Sequence, residues 1–408
     1  MKRTLITNIG MLATPQGTAA RGGRAQGEIC ILKNAWIFIE NDVIAQVGTG
    51  TAPAAVGAQT INAGGKLVTP GLVDAHTHLI FGGWRQNELA LKLHGAGYLD
   101  ILAAGGGILS TMRATQSASE EQLEAKASAA LDEMLRFGTT TAEAKSGYGL
   151  STGEECKALR VIGNLQKHHV MDLAATFMGA HAVPETYRDN RQGYLELLCE
   201  EMLPAVREQG IAEFCDVFCE KGVFSAEESR RILLTGRQYG LRPKIHADEI
   251  EAIGGSELAG EIGAVSAEHL IVCPPSGIAS MAEGGTVACC LPATSFYLGA
   301  AYAPVQDMVQ AGVPVAMATD FNPGSCPCLN MQLVISLGCL RYRLTPEQAL
   351  TAVTLNGAAA ICRADRIGSI EPGKQADILI WNAEDLDYIC YRLGSNLVDT
   401  VIKKGNVV

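Results

Sequence analysis

The stretch that decides the fold is Pro70-Gly71-Leu72-Val73-Asp74-Ala75-His76-Thr77-His78, an apolar strand that ends in two histidines one residue apart. Because the side chains of a strand alternate between its two faces, His76 and His78 point the same way and are able to bind one metal ion together. Two imidazoles leave coordination positions open for further ligands and a water. The stretch therefore predicts a catalytic metal site at the end of a strand.

From about residue 70 onward, the sequence repeats a pattern of strand, glycine-bearing loop and helix. Helix boundaries are well marked: Ser119 and Gln122 form a capping box, and Gly138 follows the last turn of the same helix. Eight segments of this region are predicted strands, namely 72–76, 139–144, 173–179, 215–218, 243–247, 264–268, 286–291 and 314–318. The fold class is therefore α/β, with a (β/α)8 TIM-type barrel over residues 69–366.

The two ends of the chain differ from this body. Short strands separated by turn residues such as Asn41-Asp42 fill residues 1–68, and strands return after about residue 366, at 377–381 and 398–403. We expect 1–68 and 367–408 to pair into one composite β-sandwich beside the barrel.

Composition narrows the class of protein. The 408 residues are 48% hydrophobic and 18% charged with a net charge of -11, which excludes nucleic acid as a partner. No run of 18 apolar residues or secretory signal is present, so we expect no membrane partner. The 13 cysteines lack paired metal-site spacing and are expected to be reduced, in a cytoplasmic protein. The oligomeric state stays open, with a homodimer as one option.

Five of the eight histidines fall at the ends of predicted strands, where barrel enzymes place their functional groups. His76, His78 and His246, with Asp320 after the eighth strand, supply the nitrogen and oxygen ligands of a one-metal site, completed by a water. Asp320 is placed to accept the proton of that water. Glu249 and His269 are predicted to orient the water or to protonate a leaving nitrogen, although either residue alone is also compatible with a structural role.

Specificity is expected to come from the loops. Arg85 lies shortly after the histidine pair, where a guanidinium is able to hold a carboxylate in two hydrogen bonds, although from spacing alone a solvated arginine competes. Tyr148 offers a phenol between two glycines, and Asn322-Pro323-Gly324-Ser325 offers an amide, a backbone N–H and a hydroxyl. Gly105-Gly106-Gly107 fits an anion nest, a lid or an ordinary turn, and it does not complete a nucleotide fingerprint.

The chain resembles the amidohydrolase superfamily through its His-x-His strand, its later strand-end histidine and its final strand-end aspartate. Within that superfamily it is similar to the imidazolonepropionase family. The stretches that carry this likeness are Asp74-Ala75-His76-Thr77-His78-Leu79-Ile80-Phe81-Gly82-Gly83-Trp84-Arg85, Ala144-Lys145-Ser146-Gly147-Tyr148-Gly149-Leu150, Gly179-Ala180-His181-Ala182-Val183-Pro184 and Thr319-Asp320-Phe321-Asn322-Pro323-Gly324-Ser325.

The resemblance implies hydrolysis of the cyclic amide 4-imidazolone-5-propanoate to N-formimidoyl-L-glutamate in histidine degradation. It implies one zinc or iron ion held by His76, His78, His246 and Asp320. It also implies substrate contacts at Arg85, Tyr148, His181, Glu249, Asn322, Gly324 and Ser325. An anionic substrate in an acidic protein needs a local cation, and Arg85, with His181 if it is protonated, is expected to supply it.

Three alternatives remain at this point. Two-metal members of the superfamily carry a carboxylated lysine at the end of the fourth strand, where this chain has Glu220-Lys221, so spacing alone leaves a second metal open. A metal-dependent deaminase of a heterocyclic amine would use the same ligands. A non-catalytic scaffold of the same fold is the third alternative, although it has no need to keep all four ligands.

Overall fold

The first 70 residues form strands because short runs of β-branched and apolar residues alternate there with turn residues. The structure, a computed structural model, describes residues 2–54, 56–94 and 106–408. Gly105, the first of the three successive glycines, lies outside these residues. The strands of this opening region are β1 Arg3–Thr14, β2 Cys30–Glu40, β3 Val43–Thr49, β4 Gln59–Asn62 and β5 Leu67–Pro70.

Eight parallel strands then build the barrel, each paired with the next along the chain. They are β6 Leu72–Asp74, β7 Thr139–Lys145, β8 Asp172–Ala180, β9 Phe214–Cys219, β10 Arg242–Ala247, β11 Ser266–His269, β12 Val287–Cys290 and β13 Val315–Met317. All eight agree with the predicted segments to within two residues at each end. The strand, loop and helix alternation in the sequence therefore predicted this part of the fold.

The barrel closes where the segments after β6 and β13 meet. The backbone N–H of Asp320 donates to the carbonyl of His76 at 3.0 Å, and the N–H of His78 donates to the carbonyl of Phe321 at 2.9 Å. These bonds join residues about 240 positions apart along the chain. We call this junction, from His76 to His78 and from Asp320 to Phe321, the seam.

Helices connect the strands and begin at the sequence signals that predict them. Ser119, Ser225 and Thr345 each accept a backbone N–H three residues on and form complete capping boxes. No helix in the described ranges is both long and apolar enough to cross a membrane. The α-helices are Leu89–Leu93, Ile108–Ser117, Glu120–Arg136, Thr152–His168, Arg191–Leu197, Leu203–Gln209, Ala226–Gln238, Gly255–Glu261, Pro275–Gly284, Pro292–Leu298, Val305–Gln310, Met331–Tyr342, Pro346–Ala352, Leu355–Ala360 and Leu386–Tyr391. Short 3₁₀ helices lie at Gly23–Gly27, Gln86–Glu88 and Glu185–Tyr187, and a π-helical turn lies at Leu198–Met202.

The two termini meet in a separate mixed sheet, as the sequence predicted. The last strands are β14 Ile378–Trp381, β15 Val398–Lys403 and β16 Asn406–Val407, and the sheet order is β16-β15-β14-β5-β1-β2-β3, with β4 beside β1. Ile6, Ile37, Val68, Ile378 and Ile402 are fully buried in its apolar cluster. Strand β5 continues two residues past the predicted boundary at residue 68, and the division into domains stays a prediction.

Strands β1 and β2 are longer than the sequence predicts, since its pattern indicates strands at 4–6, 29–33 and 35–40. The sequence predicts a break at Asn34, whereas β2 continues through it with Asn34 in the left-handed region at a φ of 51°. Asn8 on the partner strand has a φ of 55°, and the register of the pair shifts between Ile6 and Ile9. Asparagine tolerates this conformation better than most residues, so the two strands are able to bend together without ending.

Candidate metal centre and active site

His76 and His78 lie directly after β6, at the C-terminal end of the barrel. Their side chains are buried, with 0% and 3% of the surface of each residue exposed. The seam hydrogen bonds hold the backbone at both positions, because His76 supplies an acceptor and His78 a donor. Both rings are therefore fixed in the mouth of the barrel.

His246, on β10, and Asp320, after β13, converge on this pair. Asp320 Oδ1 lies 3.6 Å from Nε2 of His76 and 3.6 Å from Nε2 of His78. His246 Nε2 lies 3.3 Å from His78 Nε2. Ligand bonds of about 2.1 Å at tetrahedral angles separate donor atoms by about 3.4 Å. Ligand atoms of His76, His78 and His246 lie within 4.8 Å of one another, and Asp320 Oδ1 lies at donor spacing from the first two, so the cluster is a candidate site for one cation.

The state of the imidazole nitrogens fits such a cation. Within the described part of the chain, both ring nitrogens of His76 and Nδ1 of His78 make no hydrogen bond although they are buried. Buried polar atoms normally have partners, and Nε2 of His76 faces Asp320 in the cluster, so this nitrogen is available to a metal ion. Burial also lowers the pKa of His76 and of His78 well below the usual range, which keeps a lone pair on each ring. Neutral imidazoles and a carboxylate suit zinc or iron.

Asp320 is held in place from two sides. Thr294, at the start of helix Pro292–Leu298, donates its hydroxyl to Asp320 Oδ2 at 2.7 Å, which leaves Oδ1 facing the histidines. The backbone of Asp320 has a φ of 56°, a conformation that strains a residue with a side chain. Burial raises the pKa of the Asp320 carboxyl to about 6. The carboxyl group is therefore held in one orientation and shielded from water, and its raised pKa allows it to accept a proton near neutral pH.

Glu249 and His269 form the second predicted pair. His269 Nε2 lies 3.6 Å from Glu249 Oε2, and one ligand atom from each of His269, His76 and Asp320 falls within 4.8 Å of the others. Burial, with a smaller effect from Glu220, raises the pKa of Glu249 to about 7. A carboxyl group with this pKa is able to give or take a proton at neutral pH. The structure thus brings this pair to the edge of the histidine cluster.

The side chain of Arg85 is mostly enclosed by protein rather than spread on the surface. Its Nε lies 3.0 Å from both oxygens of Glu88, and 13% of its side chain is exposed. Its Nη1 occupies the space next to Gly324, since a Cβ there would lie 2.1 Å from that nitrogen. The guanidinium is therefore oriented by Glu88 and lies flat against the 322–325 loop.

Tyr148 and His181 line the mouth beside His78. The rings of His181 and His78 are stacked, with centroids 4.8 Å apart, and the Tyr148 ring lies 5.1 Å from His181. Burial lowers the pKa of His181 to about 4, so His181 is neutral at neutral pH and does not meet the condition for a second cation. His181 Nδ1 lies 3.0 Å from the carbonyl of Gly147, which only accepts. Nδ1 therefore carries the proton, and Nε2 presents an acceptor.

The 322–325 loop is organised by its own asparagine. The side-chain carbonyl of Asn322 accepts the backbone N–H groups of Gly324 at 2.8 Å and Ser325 at 2.7 Å, and its amide donates to the carbonyl of Asp320 at 2.7 Å. The polar atoms of Asn322 are thus directed into the loop. The loop links Asp320 to the surface on which Arg85 lies.

The end of the fourth barrel strand does not supply a second metal ligand from Lys221. The side chain of Lys221 is 68% exposed and binds Glu251 at 2.8 Å. Glu220 accepts the backbone N–H groups of Lys221 at 2.8 Å and Ile250 at 2.9 Å, so it holds the loop after β10. Sequence spacing could not exclude Lys221, because a shift of two residues changes which side chain ends the strand.

Sequence analysis missed a set of charged residues inside the barrel. They lie on four strands, have 0% exposure and contact one another directly below the histidines; they are Glu143, Lys145, Asp216, Lys244 and Glu268. A usable signal was present, since Glu143 and Lys145, and likewise Lys244 and His246, are two residues apart and share a strand face. Charged residues at that spacing in otherwise apolar strands indicate a polar interior.

Comparison with known proteins places the chain in a family. The profile of the amidohydrolase family matches residues 67–408. The imidazolonepropionase of Alkaliphilus metalliredigens (strain QYMF) is 51% identical over 414 residues, covering 100% of this chain and 98% of that protein. The imidazolonepropionase of Bacillus cereus (strain G9842) is 48% identical over 410 residues, covering 100% and 97%.

Solved structures share the fold at lower sequence identity. Atrazine chlorohydrolase of Arthrobacter aurescens TC1, complexed with zinc, has a TM-score of 0.72 and 18% identity and covers 99% of this chain and 94% of its own. An adenosine deaminase from Xanthomonas campestris with bound zinc has a TM-score of 0.70 and 21% identity, with coverage of 99% and 92%. These likenesses support the architecture alone, because their activities differ from one another.

Proposed function

The chain belongs to the amidohydrolase family, and from its full-length similarity to imidazolonepropionases we propose that it hydrolyses 4-imidazolone-5-propanoate to N-formimidoyl-L-glutamate in histidine degradation. The observation that carries this proposal is the meeting of a histidine and aspartate cluster with an oriented arginine. The histidine and aspartate cluster suits metal-assisted hydrolysis, and the oriented arginine suits a substrate that carries a carboxylate.

His76, His78, His246 and Asp320 are the residues that we propose to hold one zinc or iron ion. When bound, such an ion supplies Lewis acidity, which lowers the pKa of a nearby water and polarises a carbonyl group. The unpartnered nitrogens of His76 and the 3.6 Å approach of Asp320 support this assignment.

Substrate recognition is assigned to the loops around the mouth. Arg85 binds the propanoate carboxylate, since its guanidinium is held by Glu88 with Nη1 against the 322–325 loop. His181 is neutral with an acceptor at Nε2, so it accepts a hydrogen bond from a ring N–H of the substrate. Tyr148 closes the same side of the mouth. Asn322, Gly324 and Ser325 shape the surface on which Arg85 rests, and we propose substrate contacts through this loop.

Proton transfer is divided between two carboxyl groups. Asp320 accepts a proton from the attacking water while the water oxygen bonds to the ring carbonyl carbon. Glu249, with His269 beside it, gives a proton to the ring nitrogen as the bond between carbonyl carbon and nitrogen breaks. The product then carries a new carboxyl group where the ring carbonyl was, and this group releases its proton to solvent to become a carboxylate. Asp320 returns its own proton to Glu249 through solvent or directly, which restores both groups.

Two competing functions make different predictions. A deaminase of a heterocyclic amine would release ammonia first and has no need of an arginine oriented toward a carboxylate. A non-catalytic scaffold has no need of an aspartate fixed by Thr294 in a strained backbone conformation. Both features favour the hydrolase. Assembly as a homodimer and a cytoplasmic location stay predictions.

The proposal is tested by following loss of the imidazolone chromophore and release of ammonia in one reaction. We expect the chromophore to disappear without ammonia, and Asp320→Asn to abolish turnover while near-ultraviolet circular dichroism stays unchanged. Glu261→Gln, which breaks an exposed ion pair with Arg230, is the matched control and should be fully active. Ammonia as the first product, or full activity of Asp320→Asn, would exclude the proposal. Metal analysis of the same preparation identifies zinc or iron.

A further inference from the structure

The charged groups inside the barrel form a connected chain below His246. His246 Nδ1 lies 3.1 Å from Asp216 Oδ1, and the other oxygen of Asp216 lies 2.6 Å from Lys145 Nζ. Lys145 also contacts Glu143 at 2.9 Å. All of these residues are buried, so the contacts are shielded from competing water. The chain therefore runs unbroken from a proposed metal ligand to an ammonium group in the barrel interior.

The direction of the hydrogen bonds is fixed by which groups are able to donate. An ionised carboxylate only accepts, so the short contact with Asp216 Oδ1 requires the proton of His246 to lie on Nδ1. His246 Nε2 then keeps its lone pair, and this is the atom that lies 3.3 Å from His78 Nε2 in the metal centre. The tautomer needed for metal binding is thus the one that Asp216 favours.

The position of Asp216 is itself controlled by rigid elements. Asp216 is on β9, Lys145 is the last residue of β7, and His246 is on β10. Burial lowers the pKa of Lys145, but the nearby carboxylates of Asp216 and Glu143 raise it by more. The pKa therefore lies above its usual value, and the ammonium stays charged. Lys145 therefore occupies one oxygen of Asp216 permanently and leaves the other for His246.

Stability alone is a poor explanation for this arrangement. Buried ion pairs lose much of their attraction to desolvation, and well-packed apolar residues in their place are often as stable or more stable. A protein is expected to keep such buried charges, despite their desolvation, where they orient a functional group. In metal sites, a carboxylate on the second nitrogen of a histidine fixes the ring and increases its strength as a ligand.

We propose that Asp216, held by Lys145, is a positioning residue that fixes His246 as the Nδ1-protonated tautomer and so prepares Nε2 for the metal before the metal binds. This inference rests on the metal site proposed above, and it assigns a role to two residues outside that site. Asp216 is not one of the four proposed ligands, and the proposed role runs through its contact with His246.

The first test needs no variant. In metal-free protein labelled with 15N-histidine, the nitrogen shifts of His246, assigned by their loss in His246→Gln, are expected to show a protonated Nδ1 and an unprotonated Nε2. A protonated Nε2 would overturn the inference. This readout is independent of turnover, so it separates the inference from the proposed reaction.

The second test measures zinc affinity by competition with a chromogenic chelator. Asp216→Asn keeps the size of the side chain but offers an amide N–H either to His246 or to Lys145, and we expect about 10- to 100-fold weaker binding. Asp172→Asn is the matched control, since Asp172 also pairs with a buried lysine, Lys403 at 2.7 Å, in the terminal sheet. Its zinc affinity should equal that of the wild type.

The outcomes are distinct. Unchanged affinity in Asp216→Asn, or an equal loss in Asp172→Asn, overturns the inference while leaving the proposed function intact. If the wild type binds no metal or leaves the imidazolone unchanged, the proposed function fails, whatever the tautomer of His246. If Asp216→Asn does not fold, the tautomer measured in the wild type decides the question.

Discussion

The guanidinium of Arg85 lies in the space that a side chain at Gly324 would fill. A Cβ built at Gly324 would lie 2.1 Å from Nη1 and 2.5 Å from Cζ of Arg85. Glu88 fixes Nε on the opposite side at 3.0 Å, so the arginine has little freedom to move away from the loop without losing that contact. Glycine is therefore required at this position by space and not by backbone conformation.

Gly324→Ala should displace the Arg85 guanidinium and weaken binding of the substrate carboxylate. A hydrogen bond to a charged group contributes about 1.5–3 kcal/mol, so we expect KM to rise about 10- to 100-fold, with kcat changed only a few-fold. Steady-state kinetics with the imidazolone checks this split. Gly153→Ala is the control, because a Cβ at Gly153 meets nothing within 4 Å. A normal KM in Gly324→Ala would contradict the role of Arg85.

Thr294→Val should reduce kcat by removing the hydroxyl that binds Asp320 Oδ2. The change keeps the shape of the side chain and leaves a buried carboxylate oxygen without its donor, which costs about 1–3 kcal/mol. Because the hydroxyl stabilises the ionised form, its loss raises the pKa of Asp320, and the acidic limb of the kcat profile should move to higher pH.

Thr351→Val provides the comparison for Thr294. Thr351 is fully buried, and its hydroxyl makes no hydrogen bond within the described ranges, so replacing it with valine should leave kcat and its pH profile unchanged. If the two variants behave alike, the contact between Thr294 and Asp320 has no catalytic role.

Glu249 should produce a pH-dependent limb near neutrality. Burial raises its pKa to about 7, and as the proposed proton donor it is active in the protonated form, which is lost as the pH rises through that value. We therefore expect kcat to decline above about pH 7. In Glu249→Gln, kcat should fall by about 10²–10⁴ and this limb should disappear.

Glu251→Gln serves as the control for Glu249, since Glu251 is two residues away, half-exposed and paired with Lys221. It should keep both the rate and the profile of the wild type. A profile that rises through pH 7 would instead make Glu249 a base and reverse its proposed role.

Removal of metal should abolish turnover and lower thermal stability together. A ligand that binds only the folded state stabilises it by about 4 kcal/mol at about 1,000 times its Kd, and the chelated protein loses that contribution. Differential scanning calorimetry with and without chelator measures the shift. In His76→Asn, which lacks one proposed ligand, chelator should cause no comparable shift, and a shift of equal size would exclude His76 as a ligand.

The sequence was sufficient for the barrel and for the gathering of its predicted ligands. His76, His246 and Asp320 lie at the C-terminal ends of barrel strands, and all these ends meet at one rim. Residues far apart in the sequence are therefore predicted to lie close together in space. The same logic failed for Lys221, because a difference of two residues decides whether a side chain faces the barrel or the solvent. Exact strand ends depend on hydrogen bonds that no local pattern records.

Protonation and orientation were beyond the sequence. The sequence leaves the charge of His181 open. Enclosure beside His78 lowers its pKa, and this enclosure depends on packing between distant segments. The contact between Asp216 and His246 was missed for the same reason: each residue lies on a different strand. The left-handed backbone at Asn34 was also unexpected, because its partner distortion at Asn8 lies on another strand.

The seam gives the site an order of assembly. His76 and His78 leave the ribosome more than 240 residues before Asp320, and the backbone bonds that align them require the last barrel strand to be in place. A metal bound by all three side chains would clasp the first and last strands of the barrel together. Metal binding by these three side chains would therefore stabilise only a closed barrel. A chain that ends before Asp320 would lack one of the proposed ligands and one side of the seam.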